Sequence, residues 1–87
     1  MRVEVGSANW QNLETLMGSS MTEGKSYDVQ LVKGQQLMIV EGASEPAVEE
    51  DGNILEYNQG CTIKKESDNV YVKSFNAGCV ISVTEGE

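Results

Sequence analysis

Residues 70–84 read VYVKSFNAGCVISVT, and two runs within them alternate apolar and polar side chains around a break at Phe75-Asn76-Ala77-Gly78. Strict alternation is the period of a strand with one buried face, so Val70 and Val72 share one face while Tyr71 and Lys73 take the other. In the second run Cys79, Ile81 and Val83 alternate with Val80, Ser82 and Thr84 in the same way. Moving toward the N-terminus, Ile54–Tyr57 and Cys61–Lys65 are two further strands, set off by Asn58-Gln59-Gly60 and by Glu66-Ser67-Asp68-Asn69. Four short strands with short polar turns predict a meander. In that order the strand of residues 70–74 separates the two cysteine strands by two ladder spacings, ~9.5 Å. A disulfide needs Cα atoms within about 7 Å, so Cys61 and Cys79 are expected to stay reduced.

Upstream, Tyr27, Val29 and Leu31 alternate with Ser26, Asp28 and Gln30, again a half-buried strand. Lys33-Gly34-Gln35 turns the chain into Gln36–Glu41, whose core Leu37-Met38-Ile39-Val40 is apolar without interruption. These two runs are expected to form a hairpin. Residues 42–53 hold the single proline, Pro46, and Asp51-Gly52, which predicts a loop. Arg2–Val5 alternates as a strand. Asn9–Met17 places Trp10, Leu13, Leu16 and Met17 at helical spacing, with Asn9 as N-cap and Gly18 just past the end. The fold class that follows is all-β: a small antiparallel β-sandwich or barrel with one short N-terminal helix, a single domain over residues 1–87. Trp10 and Tyr27 belong in its core. Met17 and Met21 flank Ser19-Ser20, where methionine suits either the core edge or an adaptable contact surface.

Composition narrows the chemistry. A chain of 87 residues and ~9.5 kDa exposes roughly 5,000 Å² when folded, about 60% less than when extended, so the core is thin. Histidine is absent, which removes Ser-His-Asp and Cys-His dyads and every histidine metal site. Two cysteines without a CxxC spacing cannot close a structural zinc site. Fourteen acids against six bases give a net charge of -8, which repels phosphate backbones and makes nucleic acid an unsuitable partner. No stretch approaches the ~20 apolar residues of a membrane-spanning helix, and the N-terminus lacks a signal-length apolar run. The expectation is a soluble intracellular protein with no membrane partner.

Gly24-Lys25-Ser26 has the ending of a phosphate-binding loop, but position 19 holds serine where the pattern needs glycine, so a polar loop is expected. Glu49-Glu50-Asp51-Gly52-Asn53 lacks the alternating ligand spacing of a calcium loop and reads as a solvated acidic segment. Nothing favours a carboxylate pair for glycoside hydrolysis, and the short chain leaves little room for a pocket of ~300 Å³. No catalytic, cofactor-binding or metal-binding residue follows from the sequence. The apolar run does suggest an interface. Leu37, Met38, Ile39 and Val40 need cover on both faces, and two layers of 87 residues invite a second chain to supply one. A homo-oligomer with these four residues at its interface, and the acidic residues of 41–56 at its rim, is the expectation.

One further pattern spans nearly the whole chain. Trp10-x-x-Leu13, Gly24-x-x-Tyr27-x-Val29-Gln30, Met38-Ile39-Val40-Glu41, Pro46 in a loop, Gly52-x-Ile54, Val70-Tyr71-Val72-Lys73-Ser74 and Gly78-x-Val80-x-x-Val83-x-Glu85 together resemble small virion proteins of tailed bacteriophages. That resemblance implies a non-enzymatic structural module, a compact β-sandwich or barrel that decorates a capsid, forms a head fibre or sits on a tail. It also implies a trimer, a capsid or tail protein as partner, and residence in the virion after synthesis in the host cytoplasm. The alternative is a small β-module that binds a carbohydrate or another small ligand.

Overall fold

The computed structural model describes residues 1–6, 9–46, 52–74 and 78–86. Its elements are β1 (Arg2–Val5), β2 (Gln11–Asn12), α1 (Leu13–Met17), β3 (Ser26–Lys33), β4 (Gln36–Gly42), β5 (Asn53–Glu56), β6 (Gly60–Lys64), β7 (Asn69–Ser74) and β8 (Cys79–Glu85). They build two four-stranded antiparallel sheets, in the orders β1-β8-β3-β6 and β2-β7-β4-β5. Alternation explains the packing: every second residue of each strand faces the other sheet. Val5, Val29, Leu31 and Ile81 from the first sheet meet Leu37, Ile39, Val70 and Val72 from the second, all essentially without solvent contact. The accessible surface is 5017 Å², as expected for a compact monomer of this mass. The small all-β sandwich expected from the alternation is what forms.

Two expected pairings do not form. Tyr27–Leu31 and Gln36–Glu41 are not a hairpin: β3 lies between β6 and β8, with Val29 facing Cys61 and Val83. β4 lies in the other sheet between β5 and β7, with Ile39 facing Asn53 and Val72. Gly34-Gln35 therefore carries the chain across the sandwich. Gly34 has φ 107°, and a Cβ there would stand 2.6 Å from Cys79 Cβ, so only glycine allows this crossing. Nor do the last four strands form a meander. β5, β6, β7 and β8 alternate between the sheets, and no two consecutive ones pair. The strands of Cys61 and Cys79 remain two ladder spacings apart, but β3 separates them instead of residues 70–74, and Cys61 lies level with Val83, four residues along β8 from Cys79. Both are free thiols.

The helix is shorter than its apolar spacing suggests. Asn12, not Asn9, is the N-cap, its Oδ1 accepting from the Glu14 amide at 2.9 Å, and Gly18 ends the helix at φ 76° with its N–H on the Glu14 carbonyl. α1 touches β1, β2 and β7 and so closes one side of the sandwich with Leu13. Trp10 precedes the helix and packs elsewhere.

Candidate functional site

Leu37, Met38, Ile39 and Val40 divide between two environments. Leu37 and Ile39 point into the main core, and Met38 and Val40 point outward from the second sheet. The cover on that outer face comes from the same chain: Trp10 and Tyr71 pack against Met38 and Val40, and Trp10 is only 3% exposed. Lys73 Nζ stands 5.0 Å from the indole centroid, a cation–π contact that holds the ring across the sheet. The run therefore needs no second copy to bury it, and it offers a partner little more than the edge of Val40. The same burial removes Trp10 and Tyr71 as stacking platforms for a sugar; among the described aromatics only Tyr57 is exposed. Met21 is buried and Met17 packs against the core, so both methionines cover the core edge.

The remaining sequence candidates have structural uses. The Gly24 amide is spent on the Lys65 carbonyl at 2.8 Å, which removes it from any phosphate cradle. Glu14 accepts from the Met21 amide at 2.9 Å and pairs with the buried Lys65 at 3.6 Å. Burial pushes the thiols of Cys61 and Cys79 above the ordinary cysteine value, and the carboxylates of Asp28 and Glu41 raise Cys61 further. A raised thiol is a weak nucleophile at neutral pH. Glu49, Glu50 and Asp51 lie outside the described residues. No helix among the described residues is long and apolar enough to cross a membrane.

Topology does arrange charge in a way that composition alone cannot show. Antiparallel pairing brings Val5, Lys33 and Cys79 to one end of the first sheet, and Gln36, Glu56 and Ser74 to the same end of the second. The described carboxylate and ammonium groups near this end are Glu4, Lys33, Glu56 and Lys73, two acids and two bases. Away from this end lie Glu14, Glu23, Asp28, Glu41, Glu45, Glu66, Asp68 and Glu85 against Arg2, Lys25, Lys64, Lys65 and the Met1 ammonium, eight acids and five bases among the described residues. Among the described residues the sandwich is thus electrostatically polar, with one neutral end and one acidic end.

The neutral end also holds a groove of about 440 Å³, larger than the chain length led us to expect. Glu4, Val80 and Lys33 lie side by side across its floor, because Val80 pairs with both flanking residues. Gly6, Gly34 and Gly78 complete its wall with main chain in place of side chains. In the neighbouring hollow over β3 and β6 the polar groups already satisfy one another: Thr62 Oγ1 donates to Asp28 at 2.7 Å and Gln30 Nε2 to Asn58 Oδ1 at 3.1 Å. Among the described residues Glu4 and Lys33 enter no ion pair. The chain matches no family model, no curated protein and no solved structure.

Proposed function

We propose that the chain is a non-enzymatic structural module of a tailed-bacteriophage virion, attached to a capsid or tail protein through its neutral end with its acidic end turned to solvent. The observation that carries this is the charge polarity of the sandwich. A surface of balanced charge docks without repulsion, and a strongly acidic opposite end keeps the particle soluble and sets the orientation of approach. The buried use of the described lysine and carboxylate pair, and the raised thiols, support a structural role over a chemical one. The virion assignment itself rests on the sequence resemblance.

Assembly as a homo-oligomer, a trimer by that resemblance, belongs to the same proposal, with a contact surface away from both the neutral end and Leu37–Val40, whose outer face Trp10 and Tyr71 cover. Mass spectrometry of purified virions of the encoding phage tests the assignment: the chain should be present in multiple copies per particle. Its absence from the particles would refute it. Light scattering of the isolated protein reads the oligomer, and a mass of one chain at all concentrations would remove the trimer.

A further inference from the structure

The groove at the neutral end can be read in more chemical detail, on the premise that this end is the docking end. Its floor crosses β1, β8 and β3, so Glu4 and Lys33 stand two ladder spacings apart, ~9.5 Å between Cα atoms. Between them lies the half-buried Val80, and both charged side chains are exposed. A carboxylate at one end, an ammonium at the other and an apolar step between them complement an extended peptide with the reverse charges. In an extended chain, side chains two residues apart share a face and start ~6.7 Å apart. Two long side chains splayed outward from that separation reach the Glu4 and Lys33 heads, while the residue between them points away from the floor and leaves its backbone over Val80. Gly6 favours the same occupant, since a Cβ there would meet nothing within 4 Å and its bare main chain lets another backbone approach, whereas the missing Cβ atoms of Gly34 and Gly78 face the chain's own backbone.

We propose that this groove receives an extended segment of the partner protein carrying a lysine or arginine and, two residues away, an aspartate or glutamate. The base faces Glu4 and the acid faces Lys33. Both contacts are exposed, so the affinity is weak for a single segment and gains strength when many copies dock at once.

The test uses the whole isotope-labelled chain and a capped pentapeptide with lysine at its second and glutamate at its fourth position, followed by nuclear magnetic resonance. Amide shifts should concentrate at Glu4, Gly6, Gly34, Gly78 and Val80 and saturate in the millimolar range or below. The Glu4→Lys/Lys33→Glu double variant should weaken this peptide about tenfold and recover binding to the peptide with lysine and glutamate exchanged. Gly6→Trp should abolish binding without unfolding the protein, because a Cβ at Gly6 meets nothing within 4 Å. Equal binding of a peptide with glutamine at both charged positions, or no shift at these residues at about 5 mM peptide, would overturn the proposal. Shifts at these residues on raising protein concentration without peptide would overturn it too, naming a second copy as occupant. None of these failures touches the virion assignment, which the mass spectrometry reads separately.

Discussion

Glu14 does two jobs with two oxygens: Oε2 accepts the Met21 amide and Oε1 pairs with Lys65, whose ammonium also donates to the Asp68 carbonyl. Lys65 is 6% exposed, so removing its counterion strands a buried charge. Glu14→Ala is expected to cost about 2–4 kcal/mol in urea unfolding, and Glu14→Gln combined with Lys65→Met to recover most of it. A loss below about 0.5 kcal/mol for Glu14→Ala would show that the pair is solvent-screened like a surface bridge. The two thiols differ in what surrounds them. Burial raises both, but only Cys61 also faces Asp28 and Glu41. Salt screens that repulsion, so alkylation of Cys61 by neutral iodoacetamide should accelerate with ionic strength while that of Cys79 stays nearly constant. The sign for stability follows from the same shift. The unfolded thiol loses its proton at a lower pH than the folded one, so stability falls as pH rises past the ordinary thiol value, and Cys61→Ala should lessen that fall. Identical salt responses of the two thiols would contradict the assignment of Asp28 and Glu41 as the difference.

The strands themselves were legible in the sequence, because alternation at Tyr27–Leu31, Val70–Ser74 and Cys79–Thr84 is fixed by which residues can face a core. Pairing was not. A glycine turn such as Gly34-Gln35 can fold a strand back beside its predecessor or carry it to the opposite sheet, and both outcomes place Leu31 and Leu37 inward. What decides between them is which distant strands occupy the edges of β3 and β4, and local sequence does not encode that. The meander failed for the same reason, since Asn58-Gln59 and the segment of residues 65–68 also cross the sandwich. Trp10 was legible as a buried residue, but its place on the outer face of the second sheet was not. That placement closes a gap in the sequence account, because it covers Met38 and Val40 from within the chain. Trp10→Ala should therefore cost about 3–5 kcal/mol and leave Met38, Val40 and Tyr71 open to solvent, so the variant should self-associate more than wild type in light scattering. A variant as stable as wild type would show that the indole does not cover the sheet.

At the scale of the molecule, charge is the property that topology organises. Eight described acids away from the neutral end, opposed by five bases, leave a net negative charge that repels itself across that part of the molecule. Raising ionic strength from about 0.01 M to 0.15 M shortens the Debye length from ~30 Å to ~8 Å. The melting temperature should rise by several degrees, about 1 kcal/mol, and a fall would mean that attractive pairs dominate the acidic end. The groove was not legible, since Glu4, Lys33 and Val80 lie far apart in sequence and meet only through β8. The net charge of -8 was legible, but its segregation needed the strand register. The most direct test of docking through the neutral end is amide hydrogen exchange of the protein free and bound to virions. Protection on binding should appear at Gly6, Gly34-Gln35, Tyr57–Gln59 and Gly78, with exchange unchanged at Glu23-Gly24, Gly42–Glu45 and Glu66–Asp68. Protection confined to the second group would place the contact on the acidic end and contradict the account.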